Sequence, residues 1–379
     1  MSPSIDGNVL SYQGSNYFRQ RLVLAVLSQR SIVVSGIRNQ DVDPGLRDFE
    51  ADFLKLITEI TNGTQASVNE TGTRVFFKPG ILHGGSIEHR CVASKSVSYY
   101  LEGLIYLAPF CKHPLDVRLF GITNDCEEQS VDAFKQTSLP VLGKFMYTEN
   151  LDLKIISRGA PPLGGGEVRF TAPVCRRLRA TQFTDAGKIK RVRGWAYCMK
   201  TNPQVTSRMV DSAKQLLLKF LPDVYIYTDA CKGKRGGSSP AFGICLVAET
   251  RGGAFYAADA MSEPSKGREE MVPEVIGKTA AVNLVREIYR GGCVDTANQS
   301  LALLLMALGP ADVSKYQFGT LTPFTIQFLR HLKDFFGLTF KIAIDKRAES
   351  EEDVLRTGGE KLQLSCIGTG YLNISKKLA

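Results

Sequence analysis

Residues 90–170, RCVASKSVSYYLEGLIYLAPFCKHPLDVRLFGITNDCEEQSVDAFKQTSLPVLGKFMYTENLDLKIISRGAPPLGGGEVRF, decide the fold because they contain one complete α/β unit. Apolar residues recur at helical spacing near its start, until Pro109 and Pro114 end the pattern. Segments rich in β-branched and aromatic residues predict strands farther on. The stretch therefore predicts helices at 94–110 and 131–145 and strands at 117–123, 151–159 and 167–173.

The same order of elements can be read twice more, which indicates an internal repeat. The first copy has predicted helices at 18–29 and 46–60 and predicted strands at 31–37, 65–71 and 73–80. The third copy has predicted helices at 273–292, 301–309 and 323–337 and predicted strands at 338–344 and 362–368. Three units with helices on one side of a small sheet predict an α/β (α+β) core.

A segment between the second and third copies does not follow this pattern. Its predicted order is strand, helix and three strands, at 192–198, 207–221, 224–230, 242–250 and 254–260. Loops that join repeats tolerate whole inserted domains. We therefore expect a small α/β domain at 187–261, inserted in a core made of residues 1–186 and 262–379.

The composition is typical of a globular protein without a membrane anchor. The chain has 379 residues, of which 44% are hydrophobic, so it is long enough for a large core. No run reaches the ~18 consecutive apolar residues of a membrane span. The N-terminal MSPSIDGNVL lacks the basic and apolar segments of a secretory signal. We expect no membrane partner.

The cysteines predict a reducing compartment rather than a disulfide framework. There are nine of them, an odd number, and they are dispersed without a CxxC pair. A loose group that could bind a metal is formed by His83, His89, Cys91, Cys111 and His113. Their spacing is not that of a regular zinc site, so we predict no metal.

The charge raises the question of a polyanionic partner. The formal net charge is +9, and basic residues cluster in or beside the inserted segment. The clusters are Arg176, Arg177 and Arg179; Lys188, Lys190, Arg191 and Arg193; and Lys232, Lys234 and Arg235. Such clusters suit phosphate contacts with nucleic acid. A solvated basic surface or an acidic protein partner would explain them as well.

Two glycine-rich loops could bind phosphate, but the pattern favours turns. Gly164, Gly165 and Gly166 precede a predicted strand, where an anion-binding nest and a turn with positive φ are both possible. The loop KGKRGGSSP at 232–240 lacks the GxxxxGK[ST] spacing of a nucleotide-binding loop.

The predicted helix at 323–337 carries Arg330, His331, Lys333 and Asp334 within one and a half turns. Arg330 and Asp334 are spaced i,i+4, and His331 and Asp334 are spaced i,i+3, so an acid, a base and a phosphate-binding cation could share a face. A solvated helix face has the same pattern.

The layout of three units with an insertion resembles the RNA 3'-terminal phosphate cyclase family over nearly the whole chain. The motifs that carry the resemblance are SGIR at 35–38, KPGILHGG at 78–85 and RGAPPLGGGEVRF at 158–170. Residues 291–309 and 319–337 are more similar still to the eukaryotic nucleolar cyclase-like branch. The resemblance implies a cyclase-type core with a small inserted domain.

True cyclases of this family use ATP to adenylate a histidine and then close a cyclic phosphodiester on RNA. That histidine lies in a GPxTxHT-like stretch, which matches GTLTPFT at 319–325 and places Phe324 at its position. A phenylalanine has no lone pair to attack a phosphate, and neither Pro323 nor Thr325 is an evident substitute.

Other family positions have also changed. The Asp-Gln pair of the family falls at Ser300 and Leu301, and an acidic residue near the start falls at Tyr12. Arg19 and Arg38 match arginines of the family. The resemblance thus implies lost adenylation chemistry, no cofactor, and retained positive charge that suits a phosphate.

We therefore expect a non-catalytic ribosome biogenesis factor that acts in early pre-rRNA processing for the small (18S) subunit. The resemblance implies membership of the small-subunit processome in the nucleus and nucleolus. It also implies a nucleolar GTPase, a small nucleolar RNP and pre-rRNA as partners. The candidate anion or RNA ligands are Arg19, Arg38, Arg191, Arg193, Lys234 and Arg235.

Two enzymatic alternatives remain open at this point. An endoribonuclease that cuts pre-rRNA at an early site could use Arg330, His331, Lys333 and Asp334 to activate a 2' hydroxyl and hold a phosphate. A cyclase with a different nucleophile is the other. Covalent labelling by ATP would identify only the cyclase.

Overall fold

The computed structural model of the chain describes residues 9–262, 272–344 and 359–374. The first repeat contains β1 (Val9–Gln13), α1 (Phe18–Ser28), β2 (Ser31–Ser35), α2 (Asp48–Ile60), β3 (Thr61–Asn62), β4 (Gln65–Val68), β5 (Val75–Lys78) and β6 (Ile81–Leu82). Its sheet has the order β1-β2-β5-β4, in which only β1 and β2 are parallel. The short strands β3 and β6 pair with each other.

The second repeat follows the same plan. It contains β7 (Gly85–Arg90), α3 (Val97–Leu107), β8 (Leu115–Gly121), α4 (Val131–Ala133), α5 (Leu139–Phe145), β9 (Asp152–Ser157) and β10 (Gly166–Ala172). Its sheet order is β7-β8-β10-β9, again with a parallel first pair. Serine hydroxyls begin both helical stretches, because Ser96 accepts from the Ser98 N–H and Ser130 accepts from the Ala133 N–H.

The third repeat begins with β11 (Gln182–Phe183) and is then interrupted by the insertion. The elements that follow are β12 (Ile189–Met199), α6 (Gln204–Leu217), β13 (Val224–Cys231), β14 (Ala241–Thr250), β15 (Phe255–Met261) and α7 (Pro273–Arg290). The four strands among them form a sheet of order β13-β12-β14-β15, with β12 and β13 parallel. The hairpin predicted at 242–260 is therefore confirmed as β14 and β15.

The third repeat resumes after the insertion with α8 (Gln299–Ala307), β16 (Val313–Phe318), α9 (Pro323–Phe336), β17 (Lys341–Ile344) and β18 (Leu362–Ile367). Its sheet order is β11-β16-β18-β17, and β11 is parallel to β16. The strand β11 thus reaches across the insertion to complete this sheet. Each repeat contributes a four-stranded sheet in the order βαβαββ, to which the first repeat adds the short pair β3 and β6. The predicted fold class is confirmed.

Helices from the three repeats contact one another and form one core. Helix α1 contacts α3 and α9, while α8 contacts α9 and α5. Helix α8 is apolar on all sides, and Leu301, Leu303, Leu304 and Leu305 are each at most 1% exposed. A helix that is hydrophobic all round must lie inside the protein. The core therefore depends on all three repeats together.

Some sequence predictions of elements were wrong. The predicted repeat lacked its first strand, since β1, β7 and β11 were not recognised, and β16 was missed as well. The helix predicted at 273–292, which we assigned to the third repeat, is α7, and it packs against α6, β14 and β15 of the insertion. The proposed division of the chain at residues 187 and 261 stays a prediction.

None of the helices among the described residues has both the length and the apolar composition that crossing a bilayer demands.

Because α7 lies so close to α6, we expect a side chain at Gly277 to destabilise the fold. A Cβ at this position would lie 2.2 Å from the carbonyl oxygen of Met209, which is backbone and cannot move aside as a side chain can. We expect Gly277→Ala to lower the free energy of unfolding by about 1–3 kcal/mol, although alanine favours helices. Chemical denaturation measures this.

The neighbouring exposed residue Lys278 provides the control for this experiment. Lys278→Ala should change the free energy of unfolding by less than about 0.5 kcal/mol. A Gly277→Ala protein that is as stable as the wild type would show that α6 and α7 are not in close contact.

Candidate functional site

A cavity of about 500 Å³ lies where the loop after β1 and the starts of α1 and α9 meet α2 and α3. Its lining residues are Ser15, Asn16, Tyr17, Phe18, Arg19, Gln20, Arg38, Phe49, Glu50, Lys95, Tyr99, Glu128 and Phe324. The structure thus brings together Arg19, Arg38 and Phe324, three of the positions that the resemblance singled out. We call this cavity the core pocket.

Arg19 is held by carboxylates rather than presented to the cavity as an unbalanced cation. It forms a hydrogen-bonded ion pair with Glu102, and its Nη1 lies 3.8 Å from a carboxylate oxygen of Glu128. Its Nη1 also donates to the Tyr99 carbonyl at 2.9 Å, and its guanidinium lies 4.4 Å from the centre of the Tyr99 ring. Both carboxylates are directed at Arg19, so an incoming phosphate would compete with them.

Arg38 is neutralised in the same way. It donates from Nη1 and Nη2 to the two carboxylate oxygens of Glu50 at 2.7 and 2.9 Å, and from Nη1 to the Gly45 carbonyl at 3.1 Å. Glu50 also accepts from the Arg47 backbone N–H at 2.8 Å, which caps the start of α2. This carboxylate therefore links the pocket arginine to the helix.

Phe324 occupies the first turn of α9. The Thr322 hydroxyl accepts from the Thr325 N–H, and Pro323 occupies the first helical position, so the turn is well defined. The Phe324 ring lies 5.8 Å from the Tyr17 ring, centre to centre. Two aromatic rings thus form one wall of the core pocket, at the position of the family's nucleophile.

The other changed family positions lie outside the core pocket. Ser300 and Leu301 are buried in α8, each 1% exposed. Tyr12 lies on β1 and donates its hydroxyl to the Asp334 carboxylate at 3.2 Å, while its ring stacks on Phe335 at 6.0 Å. Burial raises the pKa of Tyr12, and the Asp334 charge raises it further.

The four residues considered for a nuclease do not form one face. His331 is fully buried, whereas Arg330 is exposed and donates to the Gln327 side chain at 3.2 Å. Lys333 is exposed as well, and Asp334 accepts from Tyr12. His331 therefore lies in the protein interior, whereas Arg330 and Lys333 lie at the surface.

The hydrogen bonds of His331 define its protonation state. Its Nδ1 lies 3.1 Å from the Gln20 Oε1, and its Nε2 lies 3.1 Å from the Gln327 Nε2. A neutral ring with hydrogen on Nδ1 satisfies both contacts, because Nδ1–H donates to Gln20 and Nε2 accepts from Gln327. Burial lowers the pKa of His331 to about 4, and the nearby Arg21 charge contributes to this shift.

The basic residues of the insertion are partly neutralised at the surface. Glu249 accepts from Arg191 at 2.5 Å and from Lys190 at 3.1 Å. Arg193 donates to both carboxylate oxygens of Asp223 at 2.8 and 3.1 Å. Arg235 lies 3.3 Å from Asp229, and Lys234 is exposed in the same loop. The structure leaves these side chains accessible, and their binding role stays a prediction.

The residues considered for metal binding are not collected at one point. The His83 and His113 rings are 4.9 Å apart, but His89 lies elsewhere, between Asp52 and Glu59. Within residues 9–262, 272–344 and 359–374, no group of three or more His, Cys, Asp or Glu side chains could hold a metal ion. All nine cysteines lie in these ranges, and none of them forms a disulfide.

Sequence reasoning missed the acidic side of the core pocket. Glu50 is the third residue of a helix that was predicted, but nothing in the sequence indicated that it faces Arg38. Lys95 donates to Glu127 at 2.6 Å and lies 3.3 Å from Glu128. Partners that are many residues apart along the chain meet here only because the fold joins them.

Comparison with known proteins finds a family and individual relatives that match most of the chain. Residues 10–342 match the family described as RNA 3'-terminal phosphate cyclase. The chain is 51% identical to the RNA 3'-terminal phosphate cyclase-like protein of Homo sapiens over 370 residues, which cover 97% of this chain and 98% of that protein. It is 36% identical to the rRNA processing protein rcl1 of Schizosaccharomyces pombe over 376 residues, which cover 98% and 99%.

The contribution of the buried Glu50 carboxylate to the free energy of unfolding can be measured. Glu50→Gln preserves the shape of the side chain but removes the charge that balances Arg38. We expect it to lower the free energy of unfolding by about 2–4 kcal/mol, because it leaves a poorly solvated guanidinium without its partner. Urea denaturation at neutral pH provides the measurement.

Asp43→Asn is the matched control, since Asp43 also pairs with an arginine, Arg47, but its side chain is 82% exposed. Exposed pairs contribute about 0–1 kcal/mol. Equal losses for Glu50→Gln and Asp43→Asn would contradict the buried pair.

The lowered pKa of His331 predicts a dependence of stability on pH. Its pKa is about 4 in the folded protein, against an ordinary value of 6.5, so the unfolded chain binds more protons between these values. Stability should therefore fall as the pH drops from 6.5 to 4, by about 3 kcal/mol from this group. Denaturation at several pH values should show a shallower fall for His331→Asn. Identical pH profiles would show that His331 titrates normally.

Proposed function

This chain belongs to the RNA 3'-terminal phosphate cyclase family, and from that premise we propose that it is a non-catalytic member that acts in early pre-rRNA processing for the small (18S) subunit. The observation that supports the absence of cyclization is Phe324 in the core pocket, where the family places its nucleophile. A phenyl ring cannot carry AMP, so the first step of the family's reaction has no acceptor at this position.

Lys95 also lines the core pocket, and its amine is a group that could replace the nucleophile if it were neutral. Burial lowers the pKa of Lys95, but Glu127 and Glu128 more than offset this and hold the pKa above its ordinary value. The ammonium form has no lone pair for attack on a phosphate. The paired arginines Arg19 and Arg38 likewise offer little uncompensated charge to a triphosphate.

The role in rRNA processing is supported by a relative. The Schizosaccharomyces pombe protein is named an rRNA processing protein, and its similarity to this chain extends over nearly the full length of both. From this we extend the proposal to the small-subunit processome in the nucleus and nucleolus. A nucleolar GTPase, a small nucleolar RNP and pre-rRNA are the partners that we propose.

The endoribonuclease alternative is disfavoured by the position of His331. A general base must reach the 2' hydroxyl of the substrate within hydrogen-bonding distance. His331 is 0% exposed, and its ring nitrogens contact Gln20 and Gln327. Arg330 and Lys333 are exposed on α9 and are better placed to contact a partner than to cooperate with this histidine.

We expect purified protein to leave a pre-rRNA transcript that spans the early processing sites intact, with or without divalent cations. We also expect no covalent AMP on the protein after incubation with labelled ATP. Depletion of the protein from cells should cause 18S precursors to accumulate, and the wild-type gene should restore their processing. Gel electrophoresis measures all three outcomes.

An Arg330→Ala, Lys333→Ala double variant is the control for cleavage, and Arg286→Ala, an α7 variant, is the matched change of a basic residue elsewhere. Cutting at one site by the wild type and the α7 variant, but not by the double variant, would establish a nuclease. Normal 18S maturation after depletion would instead refute the processing role.

A further inference from the structure

The inserted sheet has one face that alternates basic and aromatic residues. On β12, Val192 and Ala196 are fully buried, and helix α6 packs against this strand. Arg191, Arg193 and Trp195 alternate with them and therefore point to the opposite face of the sheet. We call this opposite face the outer face of the insertion.

Strand β13 adds two tyrosines to the outer face. Because β13 is parallel to β12, with Tyr225 opposite Arg193 and Tyr227 opposite Trp195, the paired side chains share one face. Tyr225 is 52% exposed and Tyr227 is 48% exposed. Exposed aromatic side chains that lie side by side on a sheet are a common sign of a binding surface.

The three rings form a continuous row. Trp195 and Tyr227 stack with a centre-to-centre distance of 5.9 Å and an angle of 22° between their planes. Tyr225 meets Tyr227 edge to face at 4.7 Å. We call Trp195, Tyr225 and Tyr227 the aromatic row.

The second repeat covers only part of the outer face. Ala133 of α4 packs on Cys245 and Val247 of β14, and Trp195 contacts the edge of this cluster. The rest of the aromatic row lies on β13, which is an edge strand of the sheet. The row is therefore anchored on one side by the core and open to solvent on the other.

Cations border the aromatic row. Arg193 is directly beside Tyr225, Arg191 and Lys190 precede it on β12, and the Lys214 Nζ lies 6.0 Å from the Tyr225 ring centre. Two carboxylates, Glu249 and Asp223, accept from the first three of these cations. Positive charge remains in excess along the row, which suits a polyanion.

We infer that the aromatic row and its basic border bind single-stranded RNA, an inference that rests on the proposed role in pre-rRNA processing. Unpaired bases stack on exposed aromatic rings, while arginine and lysine contact the phosphates. A duplex keeps its bases stacked internally and cannot use the rings in this way. The surface therefore selects unpaired segments, without reading a defined sequence.

The natural position of Trp195 provides a direct reporter, because it is the chain's only tryptophan. The probe is a fluorescein-labelled oligouridine of about 12 nucleotides, within the length that single-strand-binding surfaces occupy, titrated with full-length protein and followed by anisotropy. Unlabelled oligouridine is titrated in parallel while tryptophan emission is recorded. Stacking of bases on the row should quench this emission over the same concentration range as the anisotropy change.

Tyr225→Ala with Tyr227→Ala should weaken binding of the oligonucleotide by about tenfold or more, because each stacked base contributes measurably to affinity. Tyr225→Phe with Tyr227→Phe should retain affinity, since stacking needs the ring and not the hydroxyl. Tyr147→Ala is the matched control: Tyr147 is 79% exposed but lies in the second repeat. A duplex of equal length should bind more weakly than the single strand.

The outcomes separate this inference from the proposed function. Equal RNA affinity of the wild type and the double alanine variant, without quenching of Trp195, would refute the aromatic row but leave RNA association intact. Absence of RNA binding by the wild type at low salt would refute the row together with direct RNA contact, and would leave processing to depend on protein partners. Arg191→Ala with Arg193→Ala should reduce the salt dependence, whereas the tyrosine variants should not change it.

Discussion

A guanidinium that is withdrawn from water needs carboxylates around it, and this constraint organises the core pocket. Arg19 forms ion pairs with Glu102 and Glu128, and Arg38 forms one with Glu50. The pocket is therefore balanced by the chain's own charges. An arginine that matches a catalytic family can thus serve structure alone once its surroundings supply the counter-charge.

The sequence predicted the long, strongly periodic elements well, because their apolar residues reveal their buried sides. The helix expected at 323–337 is α9, at Pro323–Phe336. Short strands such as β11, at Gln182–Phe183, were not predicted, because two residues are too few to show an alternating pattern. Helix α7 was predicted as a helix of the third repeat, but it packs against α6, β14 and β15. Periodicity shows that one face of a helix is buried, but it does not show which elements cover that face.

The candidate site could be predicted only in part for a related reason. The family resemblance singled out Arg19, Arg38 and Phe324 one by one, and all three line the core pocket. The acids that neutralise the arginines belong to no motif and arrive from other elements. On α9, helical spacing alone placed His331 with Arg330, but the packing of α9 on α1 buries one and leaves the other in solvent. Burial depends on neighbours that helical spacing does not specify.

The interruption of the third repeat has a consequence for synthesis. Strand β11 ends at Phe183, and its partner β16 begins at Val313, about 130 residues later. During translation the insertion is complete before that partner emerges, so its sheet can form while β11 still waits unpaired. Closure of a loop of this length is slow compared with local hairpins. We therefore expect the sheet of the third repeat to be completed last, because synthesis from the N- to the C-terminus delivers β16 after the insertion.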